Sequence, residues 1–150
     1  MEISVVAGNI TQQESPAIVV GMLQGVTNPA GVLGEVDQAL DGAITSLIED
    51  GELKGNRGEL TLLHTLGKLP SKRVVVAGLG NSDSISINTV RALAASVGRL
   101  LRSKGVTQFV SVVLGAAEDG MGESESAQAV VEGVELGLYR FDTHKADQSS

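Results

Sequence analysis

Arg73-Val74-Val75-Val76-Ala77-Gly78-Leu79-Gly80 is a β-branched, uninterrupted apolar run that ends on two glycines. A strand with one wet face alternates apolar and polar residues, whereas a strand covered on both faces has no polar position to show. The run therefore reads as a strand buried on both sides. From Ile87 to Lys104, Val90, Leu93, Ala94, Val97, Leu100 and Leu101 fall on one helical face. Arg99, Arg102 and Lys104 load the carboxyl end, where the helix dipole favours cations, with Ser86 as N-cap and Gly105 as the stop. A buried strand feeding an amphipathic helix predicts an α/β fold.

The same reading extends in both directions. Ile3-Ser4-Val5-Val6-Ala7 and Ala17-Ile18-Val19-Val20-Gly21 are short, apolar and β-branched, as buried strands are. Val36, Ala39, Leu40, Ala43, Leu47 and Ile48 recur at helical spacing and predict one helix from Val36 to about Asp50, stopped by Gly51. Glu59-Leu60-Thr61-Leu62-Leu63-His64 is a further strand, separated from Arg73 by a turn that contains Pro70. Phe109-Val110-Ser111-Val112-Val113-Leu114 is another, closed by Gly115. A last helix from about Ser124 places Ala127, Val130, Val131, Val134 and Leu138 on one face. The predicted order is β-β-α-β-β-α-β-α: a mixed, largely parallel sheet sandwiched between helices. The polar tail 146–150 is expected to fray, which leaves one domain over residues 1–145.

Composition narrows the function. A chain of 150 residues makes one ordinary domain, burying roughly 70% of its unfolded surface. Its aromatics are Phe109, Tyr139 and Phe141, so the core must be aliphatic. The absence of cysteine excludes disulfides and thiolate chemistry. A formal charge of −7 opposes attraction to phosphate backbones and anionic membranes. With neither a basic leader nor a run of roughly 20 apolar residues, a cytoplasmic protein is expected.

Few residues carry chemistry. Gly78-Leu79-Gly80 lies between a strand and a helix, where backbone amides can hold a phosphate, but Asp83 stands where a dinucleotide fingerprint needs glycine. A tight turn off a buried strand accounts for the same glycines. Open α/β sheets place ligands at the carboxyl ends of their strands, so Gly21, Gly31, Gly34, Gly78 and Gly80 mark the candidate groove, expected to be shallow. His64 is expected to be a half-buried strand residue and His144 to lie near the frayed end; neither sits in a metal-ligand motif. Glu49, Asp50 and Glu52, and Glu118, Asp119, Glu123 and Glu125, read as solvated loops and helix starts. Ser82, Ser84 and Ser86 do not form a nucleophile elbow.

The segments Ala17 to Val20, Gly34 to Leu40, Gly58 to His64, Leu66-Gly67-Lys68-Leu69, Arg73 to Gly80 and Glu132 to Lys145 occur in an order and spacing that resemble the amino-terminal domain of cytosolic leucyl aminopeptidases. That domain is related to macro domains, which bind ADP-ribose. Ala17-Ile18-Val19-Val20 with Gly31, Gly34, Val36 and Asp37 carries the macro-like part. The pattern departs at the ligand: Pro16 stands where macro domains place the aspartate that reads adenine, and Gly21-Met22-Leu23 where they are rich in asparagine.

The resemblance implies a non-catalytic accessory and assembly domain. In that family, activity resides in a carboxy-terminal domain that uses two divalent metal ions, zinc or manganese, in a homohexamer. This chain is expected to hold no metal or other cofactor. Its implied partners are its own catalytic domain and sister subunits, contacted through Leu138, Tyr139 and Phe141, with weak self-association of the domain alone. A stand-alone ADP-ribose-type module is the alternative. A DNA-binding accessory domain, seeded by Lys68, Lys72 and Arg73, is a further one that the net charge disfavours.

Overall fold

Continuous apolar strands need cover on both faces, and the computed structural model, which describes residues 1–6, 9–114 and 122–149 with side chains as far as Leu138, supplies it. Five strands, β1 (Glu2–Val6), β2 (Ile18–Leu23), β3 (Leu60–His64), β4 (Arg73–Gly80) and β5 (Gln108–Val112), form one sheet in the order β1-β5-β2-β4-β3. The β1–β5, β5–β2 and β2–β4 pairs are parallel, and β3 runs antiparallel to β4. The mixed, largely parallel sheet read from the sequence is the one observed.

Alternate residues of the central strands feed two cores. Ile18, Val20, Met22, Val74 and Val76 face α1 (Gly31–Ala39) and α2 (Ala43–Glu49), where Val36, Leu40 and Ile44 close the layer. Val19, Val75, Ala77 and Leu79 face α3 (Ile87–Ser103) and α4 (Glu123–Ser149), joined by Phe109, Leu93, Val97, Val130 and Val134. No polar position shows in Val74–Val76 because neither face of β4 meets water. The Ser86 cap is in place, its hydroxyl accepting the Thr89 N–H at 3.2 Å, and Gly105 ends α3 with φ 76°. Among the described residues no helix is long and apolar enough to cross a membrane.

The single helix expected from Val36 to Asp50 is two. Asp41 and Gly42 take left-handed φ values of 57° and 83° between α1 and α2. The Asp37 carboxylate accepts both the Thr45 N–H (2.9 Å) and its hydroxyl (2.6 Å), and the Gly42 N–H donates to the Asp37 carbonyl at 2.8 Å. The break turns Ile44 into the buried position and leaves Ala43, Leu47 and Ile48 half-buried. Helical spacing carried across it because the kink is only two residues long. Asp37→Ala should remove the α2 cap and cost about 1–2 kcal/mol, several degrees of Tm in a domain of this size. Asp37→Asn, which keeps the acceptor for the Thr45 N–H, should recover most of the loss in thermal unfolding.

A further expectation changes. α4 runs from Glu123 to Ser149. Its buried face is Ser126, Ala129, Val130, Gly133, Val134, Gly137 and Leu138, with Ala127 and Val131 only half-buried. The helix is thus rotated toward its glycines. Gly115, Glu118 and Asp119 lie outside the described residues.

Candidate functional site

The carboxyl edge of the sheet is where β2 ends at Leu23 and β4 at Gly80. The loop 53–59 lies across it. Leu53, 2% exposed, anchors the loop in the core below. The Gly80 N–H donates to the Gly55 carbonyl (3.0 Å), the Gly78 N–H to the Glu59 carbonyl (2.7 Å), and the Gly58 N–H to the Gly78 carbonyl (3.0 Å). The Glu59 carboxylate accepts the Lys54 and Gly55 amides at 2.9 and 3.0 Å, holding the loop's own turn. The amides that a phosphate would need at Gly78 and Gly80 are therefore bonded to this chain's own carbonyls.

Each glycine of the expected groove has a local cause. A Cβ on Gly78 would run into the Asn56 carbonyl, and one on Gly80, where φ is 77°, would come within 2.9 Å of Arg57 Cβ. On Gly21 it would press on Leu79 Cδ1 at 2.9 Å, and on Gly34 on the Pro29 carbonyl oxygen at 2.9 Å. Gly31 faces open space, and its φ of 59° at the start of α1 is the conformation that favours glycine.

Among the described residues, Leu23, Gln24, Gly25, Val26, Asn81 and Ser82 line a shallow cleft of about 350 Å³. It lies beside the predicted glycines and contains none of them. Its polar lining is spoken for in part, since Asn81 Oδ1 accepts the Asp83 N–H at 3.0 Å. Asn81 and Ser82 directly follow Gly80 in sequence; the missed signal was that a strand-ending glycine displays the residues after it, not itself.

The other candidate residues are dispersed. Leu138, expected to be partly exposed, is 8% exposed and belongs to the core between the sheet and α4. The side chains of Tyr139, Phe141 and His144 lie outside the described residues. His64 is exposed, not half-buried, because it ends an edge strand. Lys68 pairs with Asp41 at 3.0 Å and Arg73 donates to the Pro16 carbonyl at 3.2 Å, so two of the three cations of the possible basic patch are engaged. Arg91 bridges α3 to Glu132 of α4 at 3.0 Å and, with the Gln128 amide, holds the Glu132 carboxyl below its ordinary range. Among the described residues no group of three or more His, Asp or Glu could hold a metal ion, so they do not fit the divalent ions of the family resemblance.

A parallel-cored sheet between two helix pairs, with a cleft at its carboxyl edge, defines an α/β domain of macrodomain type. The Trypanosoma brucei macrodomain in complex with ADP superposes with a TM-score of 0.73 over 93% of this chain and 58% of that one, at 16% identity. The profile described as "Cytosol aminopeptidase family, N-terminal domain" matches residues 19–148, and the chain belongs to that family as its amino-terminal domain. A probable cytosol aminopeptidase of Geobacter sulfurreducens is 38% identical over 145 residues, 97% of this chain and 29% of the relative. A mutant of tomato leucine aminopeptidase superposes with a TM-score of 0.71 at 22% identity, over 91% of this chain and 28% of that one. The chain thus spans less than a third of the length of the curated relatives it matches.

Proposed function

We propose that this chain is a non-catalytic accessory and assembly domain of a cytoplasmic, metal-dependent aminopeptidase that works as a hexamer. It acts by packing rather than by chemistry, and its partners are the catalytic domain and sister subunits of the same protein. The observation that carries this reading is the loop 53–59, whose carbonyls take the amides of Gly78 and Gly80 and turn the Gly78-Leu79-Gly80 strand end into internal structure. The hydrolysis belongs to residues outside this domain, where zinc or manganese would activate a water. Tyr139 and Phe141, in the carboxy-terminal half of α4, supply the aromatic contact toward that part.

Added manganese or zinc is expected to leave the Tm of the chain and its hydrolysis of a leucine anilide unchanged. Metal-dependent turnover that survives repurification would overturn the reading. The macrodomain-type fold and the 350 Å³ cleft favour one rival, a small-ligand module. Calorimetry with ADP-ribose separates the two: no heat of binding in the micromolar range is expected, and saturable binding there, weakened by Ser82→Trp, would make the rival the better account.

A further inference from the structure

The sheet has two edges, and they differ. β1 carries Glu2 and Ser4 on a strand contacted by α4. β3, Leu60-Thr61-Leu62-Leu63-His64, has no acidic residue, no lysine or arginine and no proline, the usual devices that keep an edge from pairing. Its inner ladder is fixed at both ends: the Thr65 N–H donates to the Lys72 carbonyl (3.0 Å) and the Gly78 N–H to the Glu59 carbonyl (2.7 Å). Antiparallel alternation then commits Thr61 and Leu63 to β4 and turns the N–H and C=O groups of Leu60, Leu62 and His64 outward. Two residues beyond the strand, Leu66 is 86% exposed at φ 53°, in the turn that the Lys68 N–H closes onto the Thr65 carbonyl at 3.0 Å.

We propose that the open edge of β3 pairs with β3 of a second copy of this chain, antiparallel across a two-fold axis at Leu62. The strand is self-complementary in this register. Leu62 meets Leu62 of the second copy and Leu60 meets His64, all with outward-facing backbone groups, giving about six new hydrogen bonds. Thr61 meets Leu63 in the closer, non-hydrogen-bonded pairing, and no like charges oppose one another. The flanking Glu59 falls opposite Thr65. The two sheets become one, and the apolar edge is closed.

The chain has no cysteine, so single-cysteine variants report the register directly. Oxidising an equimolar mixture of Thr61→Cys and Leu63→Cys should give the mixed disulfide in several-fold excess over either self-linked dimer, because only the mixed pair lies at bonding distance. In sedimentation the unaltered chain should move from monomer toward dimer as concentration rises. Thr61→Lys should stay monomeric with an unchanged Tm. A chain that is monomeric at every concentration, statistical cross-linking, or a Thr61→Lys variant that still dimerises would each overturn the proposal.

Discussion

Replacing Gly133 by valine is expected to lower the Tm by about 6–12 °C, the equivalent of about 3 kcal/mol in a domain of this size. Glycine inside a helix ordinarily costs about 1 kcal/mol relative to alanine, so filling it with a side chain would normally help. Here the space is taken. A Cβ on Gly133 would meet the Arg91 carbonyl, and would lie 2.9 Å from Arg91 Cα and 3.0 Å from Ala94 Cβ. One turn on, a Cβ on Gly137 would come within 2.7 Å of Ala95 Cβ, while on α3 one at Gly98 would meet Val134 Cγ1 at 3.0 Å. These obstacles are mostly backbone and alanine, which cannot swing aside. α3 and α4 would have to separate, loosening the core they share with the sheet. Circular dichroism through thermal unfolding measures the effect, with exposed Glu135→Ala on the same helix as a control expected within about 0.5 kcal/mol. A valine variant as stable as that control would mean that the helices do not approach this closely.

Gly78→Ala should have a comparable effect by a different route. Its Cβ would collide with the Asn56 carbonyl and lie 3.1 Å from Glu59 Cβ, so the loop 53–59 would lift off the carboxyl edge of the sheet. That would strip the Gly78 and Gly80 amides of their partners and uncover Leu53. Leaving buried amides unpaired costs about 1–3 kcal/mol each, and a loss of about 3 kcal/mol overall is expected. The loop contains Lys54 and Arg57, so its release has a local readout: limited trypsin digestion should cut there several-fold faster in the variant. If Tm falls and cleavage after Lys54 and Arg57 does not rise, the damage lies elsewhere than the loop.

The sheet was legible because burial on both faces writes itself directly into composition. Val74-Val75-Val76 and Ile18-Val19-Val20 admit few alternatives once their flanking helices are seen, and the Ser86 and Gly105 caps are local chemistry, readable at a distance of three residues. The break at Asp41 and Gly42 was not legible, because the apolar spacing survives a two-residue kink and the Asp37 to Thr45 cap has no fixed sequence spacing of its own. The register of α4 was misjudged for a related reason. Gly133 and Gly137 add nothing to an apolar count, yet they are the residues at which the two helices touch.

The candidate site divides in the same way. The sequence by itself determined the fold class, the family, and that Gly78 and Gly80 end a buried strand at the sheet edge where ligands are usually held. Only the tertiary structure decided what fills that edge, since the loop 53–59 and β4 are brought together by pairing β3 with β4. Sequence encodes which surfaces must be buried, through residue type and period. Which backbone amide meets which carbonyl depends on chain segments far apart in sequence, and side-chain patterns do not record it.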